Sequence, residues 1–188
     1  MNRLLILTAL FFSLGQSAAA TESAEKLQRL RAVMTERLVI MEQIARTKWN
    51  AGLPVEDRNR EAEILEKTTA MAVGEGLDPE LATRVVRAQI EAAKIVQNAL
   101  FERWRKAAAG KLAGAPSLTA TLRPEVSRLS RELIAALIAA QDDLESCLAR
   151  GILSPVPGTL ARFPRAWGVA VQGTLGATGP CSSPRDGR

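Results

Sequence analysis

The stretch from Leu27 to Asn50, LQRLRAVMTERLVIMEQIARTKWN, decides the fold class of this chain. Its apolar residues recur at steps of three and four, which is the spacing of one face of an α-helix. They are Leu27, Leu30, Met34, Leu38, Met41 and Ala45. The pattern predicts one long amphipathic helix from Glu22 to Asn50, ended by Gly52, Leu53 and Pro54.

Two further helices are predicted from start and stop signals. The second begins near Asp57, a good N-cap residue, and extends to about Val73, where two glycines follow closely. The third begins at Asp78-Pro79, because an N-cap aspartate followed by proline at the first helical position favours a helix start. It ends before Gly110.

The C-terminal half completes an all-α pattern. A loop at 111–121 precedes a fourth helix at 123–148, and a proline-punctuated connection at 151–164 precedes a short helix at 164–175. The glycine-rich run 173–179 indicates a loosely docked end. No stretch alternates with period two, so the sequence predicts a bundle of long helices with a C-terminal helical extension.

The first twenty residues have the layout of a secretory signal peptide. Asn2 and Arg3 form a short positive start, the apolar run Leu4–Leu14 follows, and Ala18-Ala19-Ala20 offers a cleavage point. That run is too short to span a bilayer. We therefore expect a signal peptide at 1–20, a helical domain at 21–181 and a flexible tail at 182–188. The protein would be periplasmic or secreted. An N-terminal core helix is the alternative.

Composition narrows the function classes. Loss of Arg3 with the signal would lower the formal net charge from +5 to +4, and these charges are dispersed among acids. Aromatic residues make up 4% of the chain and do not interleave with a basic run, which argues against nucleic-acid binding. The chain contains no histidine and no tyrosine. This excludes histidine-based triads and most general-base chemistry at neutral pH.

Two cysteines, Cys147 and Cys181, follow the predicted signal. In an exported chain an even, small cysteine count most simply forms one disulfide, here closing the C-terminal extension. Two free thiols are the alternative. A metal site is not expected, because two cysteines without histidine leave a tetrahedral site half-filled.

Two cations share one face of the first predicted helix. Lys48 follows Arg37 by eleven residues, which returns to within roughly 20° of the same direction, about 16 Å further along the axis. Met41 and Ile44 lie between them. This face suits an anionic ligand, and a solvated helix surface is the alternative.

Two other polar residues are unusual in their context. Gln97 lies on an apolar helix stripe, where an amide must find partners or cost stability. Arg123 lies at a helix start, where the helix dipole disfavours a cation. Each is a weak functional signal alone, and a hydrogen-bonded core glutamine is the alternative for Gln97.

These residues together resemble the all-α chorismate mutases. The match comprises Arg37, Lys48, Gly52-Leu53-Pro54-Val55, Asp57, Arg60-Glu61, Gly76-Leu77-Asp78-Pro79 and Gln89 to Gln97. It covers Leu27 to Trp104, and more loosely Leu122 to Cys147. With the signal peptide, the two cysteines and the extra C-terminal helices, the chain is similar to the exported subclass of that family.

The resemblance implies a set of roles. Arg37 and Arg123 would bind the two carboxylates of chorismate, with Arg128 and Arg131 as competitors of Arg123. Lys48 and Gln97 would donate hydrogen bonds to the ether oxygen. Three residues would order the ring-hydroxyl side: Asp57, Arg60 and Glu61. Many relatives carry a hydroxyl residue at the position of Ala93, next to the substrate.

The resemblance also implies an enzyme that rearranges chorismate to prephenate without cofactor or metal, and commonly a homodimer. Neither nucleic acid nor, after signal removal, a membrane is an expected partner. An exported helical ligand-binding or interaction protein without catalysis is the main alternative. A helical lipid- or anion-binding protein is a further alternative. Such a protein would need a larger apolar cavity and would not need Gln97.

Overall fold

The computed structural model describes the backbone of residues 4–176 and of residue 181, with side chains from residue 18 onward. Within this part the chain is helical and contains no strand. The α-helices are α1 (Leu4–Val39), α2 (Met41–Asn50), α3 (Arg58–Gly74), α4 (Pro79–Lys106), α5 (Arg123–Ala140), α6 (Cys147–Leu153) and α7 (Pro164–Leu175). A π-helical turn at Leu118–Leu122 leads into α5, and short 3₁₀ turns occupy Gln141–Asp143 and Gly158–Leu160. The all-α prediction is confirmed.

Side-chain caps fix the starts of two central helices. The Asp57 carboxylate accepts a hydrogen bond of 3.1 Å from the backbone N–H of Arg60, and α3 begins one residue after it. Asp78 accepts one of 2.8 Å from the N–H of Leu81, with Pro79 as the first residue of α4. Each cap satisfies an N–H that would otherwise lack a partner at the helix end. Both predicted starts are confirmed.

The predicted single helix from Glu22 to Asn50 is wrong in two respects, because α1 already begins at Leu4 and the helix is interrupted at Ile40. The backbone there stays near helical values, with φ −62° and ψ −21°, and the Gln43 N–H donates to the Ile40 carbonyl at 3.0 Å. The break falls on the β-branched pair Val39 and Ile40, whose helix propensity is low. It allows α1 to pack mainly against α5 and α6 while α2 packs against α4.

The fourth predicted helix, 123–148, is also too long. α5 ends at Ala140, and α6 starts at Cys147 because the Ser146 hydroxyl oxygen caps it, accepting from the Ala149 N–H at 3.0 Å. α6 then continues to Leu153, inside the predicted connection. Ala149 and Leu153 are fully buried, so this turn of the chain adds apolar surface to the core.

α7 lies at 164–175, as predicted, but it is not loosely docked. A Cβ atom built on Gly173 would lie 2.1 Å from the Cβ of Ala88 in α4, so the absence of a side chain allows the two helices to approach closely. Trp167 of α7 is completely buried, and its indole N–H donates to the Leu153 carbonyl at 2.9 Å. The looseness expected from Gly173 onward is therefore wrong at Gly173 itself. Residues 177–180 and the predicted tail 182–188 lie outside the described part.

Cys147 and Cys181 form a disulfide across 34 residues of sequence. It joins the first residue of α6 to the segment that follows α7, which confirms the predicted closure of the C-terminal extension. A loop of this length contributes about 3–4 kcal/mol to stability in the chain-entropy description. Across the described residues, no helix combines the length and apolar character needed to cross a membrane.

The close approach of α4 and α7 predicts opposite effects for two glycines of the same helix. Gly173→Ala forces its new methyl group against Ala88 and should lower the free energy of unfolding by about 1–3 kcal/mol. Gly168→Ala meets no atom within 4 Å and should be neutral or stabilise by about 0.5–1 kcal/mol, because alanine favours a helix. Urea titrations of both variants measure the difference.

Ala88→Gly in the Gly173→Ala background is the matched rescue, since it removes the methyl group that clashes. Equal stability of the Gly173→Ala and Gly168→Ala variants would contradict the close packing of α4 on α7.

Candidate active site

A cavity of about 370 Å³ opens between α1, α2, α3, α4 and the start of α5. Its wall contains every site residue expected from the sequence: Arg37, Lys48, Asp57, Arg60, Glu61, Ala93, Gln97 and Arg123. Apolar side chains complete the wall, among them Met41 and Ile44 from α2 and Val126 from α5. Residues from five helices thus converge on one concave surface, which is typical of a small-molecule site.

Arg37 is the most unusual of these residues because it is a buried cation with neutral partners. Its side chain comes from the last turn of α1 and is 7% exposed. Its Nε donates to the Gln89 amide oxygen at 3.3 Å, and its Nη1 donates to the Ser130 hydroxyl at 2.6 Å. Nη1 also lies 3.4 Å from the Val126 carbonyl oxygen. No described carboxylate lies within 4.0 Å of its guanidinium, and burial lowers the pKa of Arg37 to about 10.

Lys48 lies on α2 and lines the same cavity as Arg37, although the break at Ile40 puts the two residues on different helices. Its Nζ donates to the Val55 carbonyl at 2.7 Å, which leaves two further N–H donors. Burial lowers the pKa of Lys48 below its ordinary value. Asp57 and Glu61 partly offset this shift, while the positive charge of Arg123 adds to it.

The three candidate arginines of α5 differ in position. Arg123 lines the cavity, and its guanidinium forms no hydrogen bond or ion pair with the rest of the described chain. Arg128 is instead held by Glu125 and Glu132, outside the cavity wall. Arg131 is exposed and also absent from the wall. Only Arg123 of the three can therefore face a ligand bound in this cavity.

Two buried amides from α4 face the same space. Gln97 is 5% exposed, and its Nε2 donates to the Ala93 carbonyl at 3.2 Å and lies 3.7 Å from the Met41 sulfur. Its Oε1 has no hydrogen-bond partner. Gln89 is 1% exposed, and its Nε2 is likewise buried without a partner. Unpartnered buried polar atoms cost stability, so their presence beside a cavity indicates a ligand-binding role.

The acidic residues of the site are hydrogen-bonded within the protein. Glu61 accepts from the backbone N–H of Asp57 at 3.1 Å and pairs with Lys94 at 3.0 Å, so it links the start of α3 to α4. Arg60 pairs with Glu63 at 2.6 Å. Because these partners hold Arg60 and Lys94, the cations left without an acid on the cavity wall are Arg37, Lys48 and Arg123.

The formal charges of the residues in the described cavity wall add up to a net positive charge. Five cations, Arg37, Lys48, Arg60, Lys94 and Arg123, face three acids, Glu56, Asp57 and Glu61, which gives a formal charge of +2. This balance suits a small organic dianion. The wall carries no histidine, and its unpaired groups can place positive charge and hydrogen bonds but provide no general base near neutral pH.

Sequence reasoning missed two residues that contact Arg37, namely Gln89 and Ser130. Gln89 did carry a signal, since it lies among Val85, Val86, Ala92 and Ala93 on α4, as Gln97 lies among apolar neighbours. Ser130 carried none, because a serine in a helix usually bonds to its own backbone.

The fold and the cavity thus define an all-α protein with a cation-lined cavity that suits a small dianion. The model of the family described as chorismate mutase type II matches residues 28–98. A secreted chorismate mutase of Mycobacterium tuberculosis is 30% identical over 132 residues, which is 70% of this chain and 66% of that protein. The chain therefore spans just under two thirds of the length of this curated relative.

Two solved structures are similar along most of their length. A chorismate mutase from Burkholderia thailandensis has 35% sequence identity and a TM-score of 0.67, covering 80% of this chain and 96% of its own. A chorismate mutase from Burkholderia phymatum has 25% identity and a TM-score of 0.67, covering 81% and 95%. The chain belongs to the chorismate mutase family, whose members are intramolecular isomerases.

Proposed function

We propose that this chain catalyses the rearrangement of chorismate to prephenate in the cavity around Arg37. The observation that carries the proposal is a buried guanidinium that faces a positively charged cavity without an acidic partner among the described residues. Such a cation is costly in the free protein, and a bound carboxylate would offset the cost.

Two arginines would bind the two carboxylates of the substrate. Arg37 offers its Nη2, which has no hydrogen bond with the described residues, and Arg123 offers a guanidinium without an acid. Guanidinium groups bind carboxylates through charge-assisted hydrogen bonds, often in pairs. The cavity wall at the start of α5 would therefore complete a site whose other residues come from α1 to α4.

Lys48 and Gln97 would act on the ether oxygen, where negative charge develops as the C–O bond breaks and the new C–C bond forms. The hydrogen bond to Val55 fixes the Lys48 ammonium while leaving donors free. One N–H of Gln97 donates to Ala93, and the other meets only the Met41 sulfur, a weak acceptor that a ligand oxygen would replace. Donors that are already oriented before the reaction stabilise this charge without reorganisation.

The rest of the chemistry requires geometry alone. The reaction is an intramolecular pericyclic rearrangement, so the protein has to hold the reactive conformer and does not need a nucleophile, a base or a cofactor. Asp57, Arg60 and Glu61 would order the side that carries the ring hydroxyl. Ala93 would leave this side without the hydroxyl hydrogen bond that other family members can make there.

Export is the second part of the proposal. A relative is named as secreted, and residues 1–20 have the layout of a signal peptide. We expect the protein to be periplasmic or secreted and to act as a homodimer. N-terminal sequencing of the exported protein should find Thr21 as the first residue, and a periplasmic protein that starts at Met1 would contradict the assignment.

Purified protein should consume chorismate, followed as the loss of chorismate absorbance. Arg37→Ala, Lys48→Ala and Arg123→Ala should each lower kcat/KM at least about a hundredfold, because each removes a charge-assisted contact in the transition state. Arg128→Ala is the matched control on α5, since Arg128 is held by acids away from the cavity, and it should retain activity.

An inactive wild-type protein would favour the alternative of an exported binding protein without catalysis. Sensitivity of Arg128→Ala in place of Arg123→Ala would show that the carboxylate contact in α5 is assigned to the wrong residue.

Gln97→Glu should make the activity depend on acid. An amide donates an N–H at any pH, whereas a glutamate donates only when it is protonated, and its ordinary pKa is about 4.3. At neutral pH the variant would present a carboxylate to an oxygen that gains negative charge, so little activity is expected. As pH falls through the pKa of the new glutamate, activity should recover. The wild type should show no such rise in a pH–rate profile, and a variant as active as wild type at pH 7 would remove Gln97 from the mechanism.

A further inference from the structure

We infer that Gln89 and Ser130 are positioning residues for Arg37, and that the neutrality of Gln89 leaves the charge of Arg37 available to an anionic ligand. The inference deepens the proposed function and rests on it for its kinetic readout. A separate binding measurement tests it without turnover.

The hydrogen bonds of Arg37 engage two of its three nitrogens, Nε and Nη1. Nε donates to Gln89 on α4, and Nη1 donates to Ser130 and to the Val126 carbonyl on α5. A guanidinium has five N–H donors, so these contacts use three and leave the two of Nη2. No partner of Nη2 occurs among the residues described, and Arg37 lines the cavity. The arrangement aims Nη2 at a ligand.

The orientation of Ser130 is itself fixed. Its hydroxyl donates to the Val126 carbonyl at 2.8 Å within α5, so the oxygen is left as an acceptor for Arg37. The serine therefore links α5 to the end of α1 through its hydroxyl oxygen, while its hydroxyl proton is already hydrogen-bonded to Val126. It adds no negative charge to the site.

Acids near Arg37 in sequence are directed elsewhere. Glu36, the preceding residue, lies 3.9 Å from the Arg128 guanidinium on the outer side of the α1–α5 contact. Every hydrogen-bond acceptor that the described chain gives Arg37 is thus neutral: an amide, a hydroxyl and a carbonyl. A carboxylate in place of the amide or the hydroxyl would neutralise Arg37 before a ligand arrives.

A purely structural role does not explain why a glutamine occupies position 89. Its Nε2 is buried without a hydrogen-bond partner, which costs stability. Glutamate at this position would present the same shape without an unpartnered N–H and would form an ion pair with Arg37. A structural role therefore predicts that Gln89→Glu is harmless or beneficial, whereas a positioning role predicts a loss of ligand affinity.

The test compares Gln89→Glu with Gln43→Glu, an equal charge change at an exposed residue of α2. We expect Gln89→Glu to raise KM and lower kcat/KM by about ten- to hundredfold, the range of one charge-assisted hydrogen bond, with a smaller change in kcat. Its thermal midpoint should equal or exceed that of the wild type. Gln43→Glu should keep wild-type kinetics.

Ser130→Ala gives a second test that does not depend on the folding of the glutamate variant. It removes the nearer of the two acceptors of Nη1 and should also raise KM more than it lowers kcat. A folded Gln89→Glu protein with a KM within about threefold of wild type would overturn the inference. If Gln89→Glu does not fold, a Ser130→Ala protein with a KM within about threefold of wild type would overturn the inference.

Calorimetric titration with prephenate separates this inference from the proposed function. A wild-type protein that binds prephenate without converting chorismate would refute the catalytic proposal. Weaker binding by Gln89→Glu in the same experiment would still support the role of Gln89, and unchanged binding would refute it.

Discussion

The structure depends on one interaction, the burial of the Arg37 guanidinium against neutral groups. Removing a cation from water without an opposite charge is costly, and the pKa of Arg37 falls to about 10 for this reason. Arg37 remains charged at neutral pH, so below about pH 10 its burial lowers the stability of the folded, ligand-free protein. A bound carboxylate would remove this penalty, which links ligand affinity directly to the architecture.

The packing of the helices keeps Arg37 buried and fixes the groups around it. α1 carries Arg37, α4 carries Gln89 and Gln97, and α5 carries Ser130 and Arg123. Ala88, next to Gln89 on α4, packs against Gly173 of α7, and the disulfide from Cys147 to Cys181 closes the extension that contains α7. The C-terminal extension therefore supports the helix that holds the two buried amides, although none of its described residues lines the cavity.

Much of this could be predicted from the sequence, because local signals determine it. Aspartate caps mark the starts of α3 and α4. The eleven-residue spacing predicted a shared face for Arg37 and Lys48, and both line the cavity although the chain is interrupted at Ile40 between them. The break at Ile40 could not be predicted, since no proline or glycine marks it. The contacts of Arg37 with Gln89 and Ser130 join three helices across 52 and 93 residues of sequence, and no local pattern encodes such a meeting.

The most direct test of this account is the thermal midpoint of wild type and Arg37→Met with and without saturating prephenate. Binding to the folded state at a hundred times the dissociation constant stabilises a protein by about 2.7 kcal/mol. The wild type should show a rise of the midpoint that corresponds to this gain, and Arg37→Met should show almost none, because its cavity lacks the buried charge. An equal rise in both proteins would contradict the claim that the buried charge of Arg37 binds the ligand.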